Sequence, residues 1–300
     1  MKIIFLGTGC SNPTKDRNLS SIALRFNGEW FLFDCAEGTQ RQMIRAKVSY
    51  MKIQNIFLSH FHADHVLGLP GLFATMALHG RDYPVKVYGP KGVKEFVEKS
   101  INLIGLKPNF EIKCVEAKNG VILNGNGFEV SSFPLKHEVP TRGYVFREEG
   151  KAGKFSRETA LKLEIPEGPL WSKLQKGESV KVGNKRFKPE QVMDYSKGRK
   201  GKMIAVVMDT VVSESYLEEI SGADILIHES SFTEKMKSRA VETKHSMVKD
   251  VARLAERAGA GKLYLTHISP RHKETEKMEN EARMVFAQSY AAKDLMEIEL

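Results

Sequence analysis

Cysteine is scarce in this chain of 300 residues: only Cys10, Cys35 and Cys114 occur, odd in number and far apart. That excludes both a disulfide framework and a cysteine-built zinc cluster, so any metal site must rest on histidine and carboxylate. Long apolar runs are missing too. The opening MKIIFLGTGC has no signal-peptide stretch, and nowhere do about 18 apolar residues follow one another without a charge. The expectation is a soluble, cytoplasmic protein with no membrane partner. There is no internal repeat and no low-complexity tract. Hydrophobic residues make up 41% and charged ones 28%, ordinary globular proportions that argue against disorder and permit one large core.

Negative charge is in deficit, and unevenly so. The formal net charge is +9, and within residues 151–202 alone 14 Lys and Arg stand against 6 Asp and Glu, a net +8. Such concentration points to a polyanion such as nucleic acid, the alternative being a solvated, charge-rich surface. The strand rhythm also lapses there: residues 157–164 read as a short helix, and Pro166-Glu167-Gly168-Pro169 as a turn. We expect one domain over residues 1–300, with residues 150–202 inserted as a basic arm projecting from the sheet core.

Elsewhere short apolar strands alternate with helical stretches. Residues 3–6 read as a strand, and residues 22–26 and 29–33 form a hairpin whose Asn27-Gly28 suits the left-handed dihedrals of a type I′ turn. Helices are expected near residues 92–100 and 247–258. Apolar runs at 56–59, 130–133, 204–208, 225–227 and 263–266 lead to His60, His137, Asp209, His228 and His267. Loops after strands are polar in general, but five such endings are the pattern of strand ends converging on a site.

The strongest signal is His60-Phe61-His62-Ala63-Asp64-His65, three imidazoles and a carboxylate within six residues. Where thiolates are absent, zinc takes imidazole nitrogen and carboxylate oxygen, and such sites accept Mn less tightly. His60 and His62, two apart on extended backbone, can share one ion, while Asp64 and His65 can reach a second. His137 could complete the first set, His267 the second, and Asp209 could bridge them with one oxygen each. Taken alone, His137 and His267 read equally well as hydrogen-bonded loop histidines. Two ions so placed lower the pKa of a water between them and clamp attacking and leaving oxygens, a device for phosphodiester or ester hydrolysis.

These residues resemble the metallo-β-lactamase superfamily and, within it, the tRNA 3′-processing endonucleases of the ribonuclease Z family. Narrower marks are Asp34-Cys35-Ala36-Glu37-Gly38-Thr39-Gln40, the loop Pro13-Thr14-Lys15-Asp16-Arg17-Asn18, His228-Glu229-Ser230-Ser231-Phe232, and Lys244-His245-Ser246. Ala36 replaces the family's usual Gly, Met208 stands where a Gly often precedes the Asp, and Ser230-Ser231 replace Ala-Thr. The resemblance implies a four-layer αβ/βα sandwich, two zinc ions or other divalent ions such as Mn per subunit, and a homodimer acting on precursor tRNA. It also implies cleavage after the discriminator base, releasing the 3′ trailer and leaving a 3′-hydroxyl.

Under that resemblance Asp64 is both ligand and the group that orients or deprotonates the nucleophile. His245, at the start of the helix near residues 247–258, is the candidate acid for the departing oxygen, and His228 and Glu229 are orienting residues. A helix N-terminus disfavours imidazolium, which makes a protonated His245 a readier acid. Lys15 and Arg17, with Gly168 and Pro169 of the arm, are candidate substrate contacts. His79 and His272 are left as surface residues, and Phe155, Trp171 and Phe187 as packing within the arm. Two rivals remain: a hydrolase of the same fold acting on a sulfate ester, a cyclic nucleotide or a small phosphodiester, and a silent RNA-binding module. The basic arm and the loop at 13–18 weigh against the first, the intact ligand string against the second.

Overall fold

The computed structural model describes residues 1–300 and contains two seven-stranded sheets. In the first the order is Glu297–Glu299, Lys2–Gly7, Ser21–Phe26, Glu29–Phe33, Ile53–Phe57, Val85–Gly89, Ile112–Glu116. In the second it is Ser289–Ala291, Lys262–Thr266, Ile225–Glu229, Met203–Val207, Thr141–Glu148, Phe128–Leu135, Gly120–Gly125. Both mix directions or are joined by crossovers: Ser21–Phe26 pairs antiparallel with Glu29–Phe33, which pairs parallel with Ile53–Phe57. The turn between the first two is Asn27 (φ 48°) and Gly28 (φ 85°), so the side-chain-free residue sits where φ is most costly.

The central strands are buried on both faces, and their period of two divides the core. Ile4, Leu6, Trp30, Leu32, Ile56 and Leu58 face helices on one side, packing with Leu69, Leu72, Phe73 and Met76 of the helix Leu69–Leu78. Leu226, Leu263 and Leu265 of the second sheet pack on Val248, Val251, Leu254 and Ala255 of the helix Val248–Arg257. Between the sheets lies a layer of aromatic rings. Phe31 meets Phe146 edge-on at 5.3 Å, Phe33 stacks on Phe57 at 5.1 Å, and Tyr144 lies 5.4 Å from Phe57 while donating to the carbonyl of Leu58 at 2.6 Å. Two mixed sheets flanked by helices are the sandwich expected from the sequence. No helix is long and apolar enough to cross a membrane.

The chain divides into two compact units, one of residues 1–125, 129–146 and 203–300, the other of residues 126–128 and 147–202. The smaller unit has a core of its own: Ala160, Ile165, Leu174, Val180, Phe187, Val192 and Met193, with Phe155 and Trp171 packed against it. Its helix Arg157–Lys162 is capped by Ser156, which accepts from the Thr159 amide at 3.2 Å. A second helix, Pro169–Gln175, begins where the turn at 166–169 is read from sequence; Gly168 precedes it at φ 117°, a conformation that favours glycine.

Candidate metal centre

Each candidate ligand leaves the carboxyl end of a strand. His60, His62, Asp64 and His65 follow Ile53–Phe57, His137 follows Phe128–Leu135, Asp209 follows Met203–Val207, and His267 follows Lys262–Thr266. The structure brings all seven together. One group holds His60, His62, His137 and Asp209, a second Asp64, His65 and His267, with the ligand atoms of each within 4.8 Å of one another.

Asp209 faces both groups. Its Oδ2 lies 3.6 Å from His60 Nε2 and 3.8 Å from His137 Nε2, while its Oδ1 lies 3.3 Å from His65 Nε2 and 3.1 Å from His267 Nε2. Asp64 Oδ2 is 3.5 Å from His267 Nε2 and is fixed by the Ser11 amide at 2.6 Å.

Neighbours behind the rings decide which nitrogens face inward. His60 Nδ1 meets Ser59 Oγ at 3.0 Å, His65 Nδ1 meets Asp34 Oδ2 at 2.7 Å, His137 Nδ1 meets the Lys244 carbonyl at 3.3 Å, and His267 Nδ1 meets Ser231 Oγ at 3.1 Å. With those Nδ1 positions occupied, four Nε2 atoms point into the centre, the arrangement that fixes tautomer and orientation in histidine metal sites. Asp34 is itself held by the Ser59 amide and hydroxyl at 2.7 and 2.8 Å. Two buried atoms of the centre, His60 Nε2 and Asp209 Oδ1, have no hydrogen-bond partner. Buried polar atoms without partners are costly, and here both belong to a donor set of imidazole and carboxylate that suits a divalent cation. The residues therefore fit a divalent metal ion.

Electrostatics point the same way. Burial opposes charge on Asp209, yet His267, His65 and His60 together hold its carboxyl well below the usual range. Burial also opposes charge on His65, but Asp209 and Asp34 outweigh it and raise that imidazole. Burial and the neighbouring His65 hold His60 well below its ordinary value, so it presents a lone pair. Asp209 thus stays ionised and His60 neutral, the states in which carboxylate and imidazole can ligate a cation.

His245 stands beside this centre. Burial alone would make it neutral, but Glu229, whose Oε1 lies 3.1 Å from His245 Nδ1, lifts it to about 9. This corrects the expectation that a helix N-terminus disfavours charge on His245. The helix starts only at Val248, and the buried Glu229 carboxylate dominates. Asp209, His245 and His267 also lie within 4.8 Å of one another. Glu229 Oε1 further accepts from the amides of Thr210 and Ser246, at 3.2 and 2.8 Å.

His228 is placed differently from the expectation. It lies inside the strand Ile225–Glu229 rather than past its end, on the face opposite Glu229, and its ring meets the Tyr216 hydroxyl at 3.0 Å and the Glu229 carbonyl at 2.6 Å. Neither partner is a candidate ligand. Arg17 is likewise engaged inward, donating to Thr8 Oγ1 at 2.5 Å and to the Ala292 carbonyl at 3.1 Å, while Lys15 is exposed. His79 is T-shaped against Tyr50, and His272 is half-buried with a buried Nε2. Gly168 and Pro169 are exposed in the smaller unit. Ser59 and Ser231 hold the candidate ligand rings of His60 and His267 although neither stands out in the sequence. The one available signal is that the hydroxyl at 231 stands where the related motif carries Thr.

The family whose pattern matches the chain is described as the anti-Pycsar protein Apyc1, over residues 1–137. The ribonuclease Z of Methanosarcina acetivorans is 45% identical over 100% of this chain and 98% of its own length. That of Methanothermobacter thermautotrophicus is 41% identical over 100% and 97%. Human tRNase Z, short form (ELAC1), superposes with a TM-score of 0.72 at 26% identity, covering 100% of this chain and 99% of that one. The metallo-β-lactamase fold protein YhfI from Bacillus subtilis shares the fold, with a TM-score of 0.72 at 18% identity over 100% and 99% of the two chains.

Proposed function

Since this chain belongs to the ribonuclease Z family, we propose that it is the endoribonuclease that removes the 3′ trailer from tRNA precursors, cutting after the discriminator base to leave a 3′-hydroxyl. The observation that carries this reading is Asp209, which offers one carboxylate oxygen to each of two ligand groups. His60, His62, His137 and Asp209 would hold one divalent ion, and Asp64, His65, His267 and Asp209 a second, zinc being the ion that this nitrogen and oxygen set suits best. When bound, such ions polarise the phosphoryl oxygens and lower the pKa of water.

The protein's own groups do the rest. Asp64, with one oxygen anchored by the Ser11 amide, orients the nucleophile and accepts its proton. His245, kept protonated by Glu229, delivers a proton to the departing 3′ oxygen. The unit of residues 147–202 acts as the arm that grips tRNA, through phosphate contacts from its lysines and arginines and through the exposed Gly168-Pro169 turn. Lys15 approaches the acceptor end, and Arg17 supports the loop that presents it. The working enzyme is a cytoplasmic homodimer.

Metal analysis of the purified protein, together with mapping of the cut in an end-labelled tRNA precursor, tests this. Two equivalents of zinc and a single cut after the discriminator base are expected. Hydrolysis of small phosphodiesters with no cleavage of the precursor would favour the rival reading.

A further inference from the structure

His245 forms one wall of a second feature. A cavity of about 370 Å³ opens beside it, bounded by the segment Val211-Val212, by Ala240 and Val241 of the helix Lys237–Glu242, and by Met247 and Leu254 at the helix Val248–Arg257. Its wall is mainly aliphatic. Two of these side chains remain exposed in spite of their chemistry, Val241 at 69% and Val211 at 40%. The arginines at its rim are already engaged, Arg253 with Asp250 at 2.9 Å and Arg257 with Glu214.

We propose that this cavity seats the base of the nucleotide whose 3′ oxygen is the leaving group. The inference rests on the functional reading above, and it follows from the direction of the cut. A group that protonates the leaving oxygen must come within hydrogen-bond reach of it. When the trailer departs with the phosphate, that oxygen is the 3′ oxygen of the last retained nucleotide. Its ribose therefore abuts His245, and its base, one glycosidic bond away, faces the nearest unfilled apolar surface. The volume falls in the range of small-molecule pockets, ample for one base. Aliphatic walls grip the faces of any base, whereas reading its edge needs free donors and acceptors aimed at it. With the rim arginines paired, the cavity holds this base firmly and discriminates weakly among the four, as suits an enzyme that processes many tRNAs.

The test compares the wild-type protein on an intact precursor and on precursors with a single abasic site, at the discriminator or at the first trailer position. Loss of the discriminator base should slow cleavage about tenfold, the scale of one seated base, while loss of the first trailer base has the smaller effect. Val241→Trp, at a position exposed enough not to disturb folding, should slow the intact precursor by a similar factor. It should slow the discriminator-abasic precursor much less, because the interaction it blocks is already gone. Equal rates on intact and discriminator-abasic precursors overturn the proposal while leaving the function intact, as does a larger loss from the trailer-abasic precursor. A wild-type protein that cuts none of them overturns the functional reading and this inference with it.

Discussion

Polar groups are handled in opposite ways at the metal centre and in the unit of residues 147–202. At the centre, His60, His65, Asp209 and Glu229 are buried, and most of the candidate ligand rings have a polar neighbour that fixes them from behind, Ser59 for His60, Asp34 for His65 and Ser231 for His267. In the smaller unit ion pairs such as Arg157 with Glu167 and Lys162 with Glu158 lie on the surface, each side chain half or more exposed. Exposed pairs of that kind contribute about 0–1 kcal/mol. A centre of the first sort depends on every member, whereas a basic surface works by summation. Substitutions should therefore be severe and qualitative in one region, graded and interchangeable in the other.

The sharpest test is Asp64→Ala. Turnover should fall by about 10³-fold or more, since a ligand and the nucleophile's partner go together, while precursor binding measured by filter retention stays near wild type. Normal turnover in that variant would sink the mechanism. Next comes His245→Ala, with a loss of about 10²-fold or more in single-turnover rate and unchanged metal content by elemental analysis. Metal loss would instead assign His245 to the ligand set with Asp209 and His267.

Asp34→Asn leaves every ligand in place yet weakens the support of His65. Metal affinity should drop about 10–100-fold in a competition titration with a chromophoric chelator, and unaltered affinity would separate Asp34 from the centre. The smallest effects belong to the basic unit. Neutralising Lys181, Lys185 or Arg186, all exposed, should weaken precursor binding modestly and lower the slope of log K against log salt by about 0.7–0.9 for each phosphate contact removed. A flat response across all three would remove this surface from tRNA binding.

What is legible in the sequence is whatever is local or periodic. The string from His60 to His65 announces itself by spacing, and the Asn27-Gly28 hairpin by turn chemistry. His137, Asp209 and His267 stand out because each ends an apolar run. His228 is misread by that same rule although strand periodicity holds the answer: in Ile225–Glu229, His228 shares the face of Leu226, so Glu229 faces the centre. The inward engagement of Arg17 leaves no trace in the sequence, because its partners Thr8 and Ala292 meet only when the chain ends come together. The pairing of His245 with Glu229, across 16 residues, likewise depends on tertiary placement and outweighs the argument from the helix terminus.

Neither ligand group belongs to one sheet. His60 and His62 stand on the first sheet and are completed by His137 and Asp209 from the second, while Asp64 and His65 are completed by His267. The aromatic layer between the sheets thus serves as a gauge block: its thickness sets the gap that each cluster must close. An ion held in either group would act as a clasp between the two halves, and neither clasp can shut before the halves have docked. Metal uptake should therefore report on assembly of the halves, and thinning the layer, as by Phe57→Leu, should loosen both clasps together although no ligand has been touched.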